Sequence, residues 1–247
     1  MDSTHPRVHR EVLESKLGGR IDDYLPQFVT NLEKKVFVEW IHGFTRTERA
    51  TSMSRVIELI TNVSEPQEVI DRMLTYTGVR PGIRGRFVDF TKKDELVERL
   101  KLILDDMQFY SLRGGRLAKY LLLRIDMEEW DMENFQGYEG VITLEHIPPA
   151  EPPDSSVWLL KFNDKDRKDW TNRLGNLTLL SGRKNSKAGV KPFAEKKNVY
   201  FKIKTTPFKI TQDLAKNEDW DMDSLKKRHE EMIDKAIRIY VDKVEGK

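Results

Sequence analysis

Apolar residues recur every three or four positions from Phe28 to Trp40 and again from Val56 to Val63, the spacing that lays one apolar stripe along a helix. "SEPQ" at 64–67 has the form of a capping box, Ser64 with Gln67, and predicts a helix start before Val69, Ile70, Met73 and Leu74. "TKKD" at 91–94 predicts another before Leu96, Leu100, Ile103 and Leu104. "SLRGGRLAKYLLLRID" (111–126) breaks at Gly114–Gly115 and resumes as a buried helix. At the far end Leu225, His229, Met232, Ile233, Ala236 and Tyr240 share one helical face, with Asp221 or Asp223 as its cap.

After Trp130 the texture changes. "YEGVITLEHI" (138–147) is strand-like, "PPAEPPD" (148–154) is a stiff proline-rich loop, and "RLGNLTLLSGRKNS" (173–186) is apolar in its middle with glycine on either side. "KPFAEKKNVYFKI" (191–203) suits a helix opening after Pro192. The expectation is an α+β chain, mainly helical, with a helical domain over 1–130 and a second domain over 131–247 that holds two strands. "GVRPGIRGRF" (78–87) lacks phosphate-loop spacing and reads as an exposed basic loop.

Charge changes this picture. The total is close to balanced, net +2 over 247 residues, but 161–210 holds fourteen Lys/Arg against four acids. Such a block is the electrostatic footprint of a phosphate-backbone binder, and equally the appearance of a solvated lysine-rich face. With no cysteine there is neither a disulfide nor thiolate-ligated zinc, which fits a reducing cytoplasm. No apolar run approaches the roughly 18 residues of a membrane span. A soluble, cytoplasmic protein with no membrane partner is expected.

Five histidines are available. His5 and His9 sit in a polar terminus, His42 precedes a glycine as a helix C-terminal residue would, and His229 borders an apolar helix face. His146 differs: it ends a strand, follows Glu145, and is locked by Pro148 and Pro149. Asn176 opens the next strand and Asn185 follows the basic pair Arg183–Lys184. Trp158, Trp170 and Trp220 read as packing anchors rather than base-stacking platforms.

The succession "LEHIPP…RLGNLTLLSGRKNSKAG.KPFAEKK..Y", followed by "W…L..RHEEMIDKAIRIY", resembles the C-terminal domain of GmrSD-type modification-dependent restriction enzymes, an HNH or His-Me finger nuclease family, over roughly 110–241. The resemblance implies a ββα-metal core in the C-terminal half and a metal-dependent DNA endonuclease of bacterial or archaeal phage defence. It implies His146 as general base, Asn176 bracing the loop that bears it, Glu145 and Asn185 as oxygen ligands of Mg²⁺ or Mn²⁺, and Arg183, Lys184, Lys187 and Lys191 on neighbouring phosphates. Asn185 stands where the familiar pattern has a histidine as its last ligand, so a modest metal affinity is expected and a tetrahedral zinc site is not. The Asp-Gly-Gln-Gln-Arg signature of an N-terminal nucleotide-hydrolysing domain is missing, which suggests that this partner lies on another segment or subunit. A non-catalytic nucleic-acid-binding module with the same fold is the alternative.

Overall fold

The computed structural model describes residues 21–75, 88–131, 135, 137–202 and 205–242, and the chain forms two compact units. The first comprises 1–99 with 240–247, the second 100–239. The basic loop at 78–87, together with His5 and His9, lies outside the described residues. The two units meet in the chain at Arg99–Leu100.

In the first unit, α1 (Ile21–Ile41), α2 (Arg46–Asn62) and α3 (Pro66–Met73) pack together. Val56, Leu59, Val69, Met73 and Leu74 form their core, flanked by Phe28 and Leu32. The stripe of α1 also buries an ion pair, Lys35 to Glu39 at 2.9 Å. His42 does end α1, donating from Nδ1 to the Val38 carbonyl at 2.7 Å.

A capping box exists, but at Thr45 and Glu48 and not at Ser64. The Thr45 hydroxyl accepts from the Glu48 amide, and the Glu48 carboxylate accepts from the Thr45 amide at 2.6 Å. At α3, Pro66 occupies the first helical turn and makes Glu65 the N-cap, so Gln67 falls one position short of the box and donates to Asp71 instead.

The second unit begins within α4 (Lys93–Leu104). A kinked 3₁₀ segment, Phe109–Gly115, then leads through left-handed Gly114 and Gly115 into α5 (Arg116–Glu128), whose Leu117, Ala118, Leu121, Leu122 and Ile125 are buried. Strands β1 (Ile142–His146) and β2 (Leu177–Ser181) pair antiparallel, with His146 opposite Leu177 and Glu145 opposite Thr178. Between them lie α6 (Trp158–Lys161) and α7 (Asp164–Trp170).

β2 runs directly into α8 (Gly182–Ala188). Next come α9 (Phe193–Phe201), with Pro192 as its N-cap, and the short α10 (Lys209–Gln212). The last helix, α11 (Met222–Ile237), is capped by Asp221 accepting from the Ser224 amide at 2.9 Å. The mainly helical α+β class is what the structure shows.

Ile147, Trp158, Leu180, Phe193, Tyr200, Trp220 and Leu225 make the core of this unit. Trp158 and Trp220 are thus buried anchors, and the Trp158 indole donates to the Lys191 carbonyl at 3.0 Å. No described helix is long and apolar enough to cross a membrane.

Candidate active site

Side chains alternate along a strand, and directly paired residues share a face. Thr143 and Glu145 therefore lie on one face with Thr178 and Leu180, while His146 lies on the other with Leu177. The His146 ring is half-buried. Its Nε2 meets Asn172 Oδ1 at 3.1 Å, and the Tyr110 ring packs against it at 4.6 Å. Burial pushes the His146 pKa below its ordinary value, and the nearby Lys196 charge adds to this, while the Asn172 bond acts against it. The imidazole is neutral at neutral pH, the state in which it can take a proton.

Asn176 is fully buried beside the strand pair. Its Nδ2 donates to the carbonyls of Pro148, at 2.9 Å, and Thr171, at 2.8 Å, and its own carbonyl accepts from the Ile147 amide at 2.9 Å. The residues on either side of the Asn172 contact are thereby tied to the turn that follows His146.

The turn Leu174–Asn176 is itself pinned from α11. The Gly175 amide donates to His229 Nδ1 at 3.0 Å, and Arg228 Nη1 donates to the Gly175 and Leu177 carbonyls. His229 Nε2 donates to Asp105 at 2.9 Å, and Arg173 also engages that carboxylate. His229 is consequently a buried clamp and not a border residue; a Cβ at Gly175 would stand 2.6 Å from its Cβ.

Glu145 and Asn185 each have bonding partners other than His146. Glu145 is buried at 4% exposure, and its Oε1 accepts from Lys196 Nζ at 2.6 Å and from the Tyr200 hydroxyl at 3.1 Å. Burial pushes the Glu145 carboxyl up and the Lys196 ammonium down, and their mutual attraction opposes both shifts. Lys196 also donates to the His146 carbonyl at 2.7 Å. Asn185 Nδ2 donates to Thr143 Oγ1 at 2.9 Å and to the Leu144 carbonyl at 2.6 Å, which leaves its amide oxygen as the atom able to face a ligand.

Among the described residues no three acidic or histidine side chains gather as a metal-ligating group. Of the two expected oxygen ligands, only the Asn185 amide oxygen takes no part in these bonds, whereas a hard cation such as Mg²⁺ is ordinarily held through one or two carboxylates. The Glu145 carboxylate faces the Lys196 ammonium through Oε1.

Residues 94–235 match the family model for the C-terminal domain of GmrSD restriction endonucleases. The chain belongs to this family. A comparison with curated proteins found no match. The family match reaches back to α4, so in this GmrSD C-terminal domain the residues around Asp105, Gln108 and Tyr110 belong with the strands.

The basic residues of the domain divide by exposure. Arg183 and Lys187 on α8 are exposed, as is Lys191, which lies 3.5 Å from Glu195. Lys184 instead turns inward to the Tyr200 carbonyl at 2.5 Å, and burial lowers its pKa. Sequence reasoning missed Asn172, Tyr110, Gln108, Lys196 and Asp105. Lys196 had a signal of its own, since it stands on the same stripe of α9 as Phe193 and Tyr200, three and four positions away.

Proposed function

We propose that this domain is a metal-dependent DNA endonuclease of the ββα-metal, HNH or His-Me finger type, acting on phage or otherwise modified DNA in a restriction system. The observation that carries the reading is the neutral, half-buried His146 at the end of β1, with Nε2 turned to an amide oxygen and Nδ1 left as the ring's acceptor. An amide oxygen only accepts, so the ring hydrogen sits on Nε2.

Hydrolysis then follows from these residues. His146 Nδ1 takes a proton from a water molecule, the resulting hydroxide attacks phosphorus, and the P–O bond to the leaving sugar oxygen breaks with its electron pair. Asn176 holds the turn after His146, so that the ring does not swing as it charges. Mg²⁺ or Mn²⁺ held by Asn185 Oδ1 would neutralise charge on the phosphate and the leaving oxygen. Arg183, Lys187 and Lys191 would contact neighbouring phosphates from α8 and the loop after it, and Lys184, through its stem and its bond to Tyr200, would hold that surface in place. Glu145 would support β1 from beneath instead of binding metal. A nucleotide-hydrolysing domain or subunit is the expected partner.

The test is plasmid relaxation with and without Mg²⁺ or Mn²⁺, comparing the parent with His146→Ala. Loss of about 10²–10⁴-fold in cleavage at unchanged DNA affinity and melting temperature supports the reading. A folded His146→Ala protein that cleaves at the parental rate defeats it, and a parent that binds but never cleaves supports a binding module.

A further inference from the structure

The hydrogen-bond chain behind His146 does not end at Asn172. Asn172 Nδ2 donates to Gln108 Oε1 at 2.9 Å, and the Asn172 carbonyl accepts from the Tyr110 amide at 2.8 Å. Gln108 is exposed and lies at the start of the 3₁₀ segment whose Tyr110 ring packs on the imidazole. Two amides and an imidazole in series have two self-consistent arrangements. In the observed one, Gln108 presents oxygen, Asn172 presents nitrogen to Gln108 and oxygen to the ring, and the ring hydrogen lies on Nε2. Turning both amides over would present Asn172 nitrogen to Nε2 and force the hydrogen onto Nδ1, the atom that must be bare to receive a proton.

We propose that Asn172, oriented by Gln108, is a positioning residue that selects the Nε2–H tautomer and the ring orientation of His146. The inference rests on His146 being the base, and it adds what sets the base's competence. Asn172 touches neither phosphate nor water in this scheme; it acts through the ring. The relay also gives the 105–110 segment a functional role that its helical packing alone would not suggest, because the orienting group lies 64 positions before Asn172 in the chain.

The experiment reads the ring directly. ¹⁵N-detected histidine spectra of the full chain are recorded above pH 8, where the ring is neutral, alongside steady-state plasmid cleavage. Wild type is expected to show His146 Nε2 protonated and Nδ1 bare. Asn172→Ala should lose the single-tautomer pattern and about 10- to 100-fold in kcat with KM little changed. Asn172→Asp, which keeps an acceptor at that atom, should recover the pattern and part of the rate.

Should Asn172→Ala perturb the fold, Gln108→Lys, altered at an exposed position, offers the same readout. An ammonium only donates, so Asn172 should turn its oxygen toward it and its nitrogen toward the ring, moving the hydrogen to Nδ1. A wild-type spectrum and turnover in either variant overturns the proposal, as does an Nδ1–H ring in the wild type. The spectra do not depend on cleavage. A changed tautomer with full turnover, beside an inactive His146→Ala, removes the positioning role alone, whereas an active His146→Ala removes the base.

Discussion

Glu145 and Lys196 meet at 2.6 Å with side-chain exposures of 5% and 0%, and the same ammonium reaches the backbone carbonyl of His146. Two charges taken out of water are held by each other and by Tyr200. Breaking such a pair leaves one charge stranded, at about 3–5 kcal/mol. Lys196→Met alone is therefore expected to lower unfolding stability by that order, and the double variant Lys196→Met with Glu145→Leu to regain much of it. Urea unfolding of the two single variants and the double completes the cycle; purely additive losses would mean that the pair is not coupled.

Asn185 gives a different signature. Asn185→Ala should raise the Mg²⁺ concentration needed for half-maximal cleavage and recover in part with excess Mn²⁺, since few protein oxygens hold the ion. Asn185→Asp should bind the ion more tightly but melt lower, because a carboxylate would face the Leu144 carbonyl where an amide now donates. Cleavage titrated against each cation, with melting curves in parallel, separates the two; an unchanged cation dependence in Asn185→Ala removes it as a ligand.

Gly175→Ala tests how tightly the turn before β2 is held. The added methyl would stand 2.6 Å from His229 Cβ and 2.9 Å from its backbone nitrogen, inside a helix that cannot shift easily. A loss of about 1–3 kcal/mol is expected from overpacking, with reduced cleavage because Asn176 moves with the turn. A thermal melt equal to the parent's would show that α11 yields more readily than its packing implies.

His229 adds a pH dependence to stability. Burial lowers its folded pKa, with the Asp105 bond acting against that shift. Between the folded and the ordinary value the unfolded chain binds more protons, so stability is complete above about pH 6.5 and falls as pH drops toward the folded value, by up to about 1.4 kcal/mol per pH unit for one proton. His229→Asn should flatten this slope by one proton in denaturation curves taken from pH 7.5 to 5. An unaltered slope would assign the proton elsewhere, His42 and His146 being the other histidines held low by burial.

What the sequence made legible was local. The break at Gly114–Gly115, the Asp221 cap and the helix after Pro192 depend on a few adjacent residues, and the two strands on their alternation and flanking glycines. The position of His146, at a strand end before two prolines, was visible for the same reason. Its surroundings were not. Asn172 and Tyr110 reach the ring, and Gln108 reaches Asn172, only through tertiary packing, and no periodicity marks them. Lys196 was submerged in a basic block that composition reads as surface, although its helical neighbours Phe193 and Tyr200 face the core. Adjacency in the chain did not show the register, by which strand alternation sends the side chains of Glu145 and His146 to opposite faces.

The pairing of β1 with β2 has a consequence for the order of assembly. His146 and Leu177 are partners across an intervening segment of some thirty residues, and the clamp on that turn comes from His229, near the end of the second unit. Closing such separations costs chain entropy before any contact repays it, so long-range pairs form late relative to helices. During synthesis the strand bearing His146 leaves the ribosome well before Lys196, and long before α11. His146 and Gly175 therefore wait on segments made after them, and a half-made chain carries the histidine without the frame that holds its strand and turn.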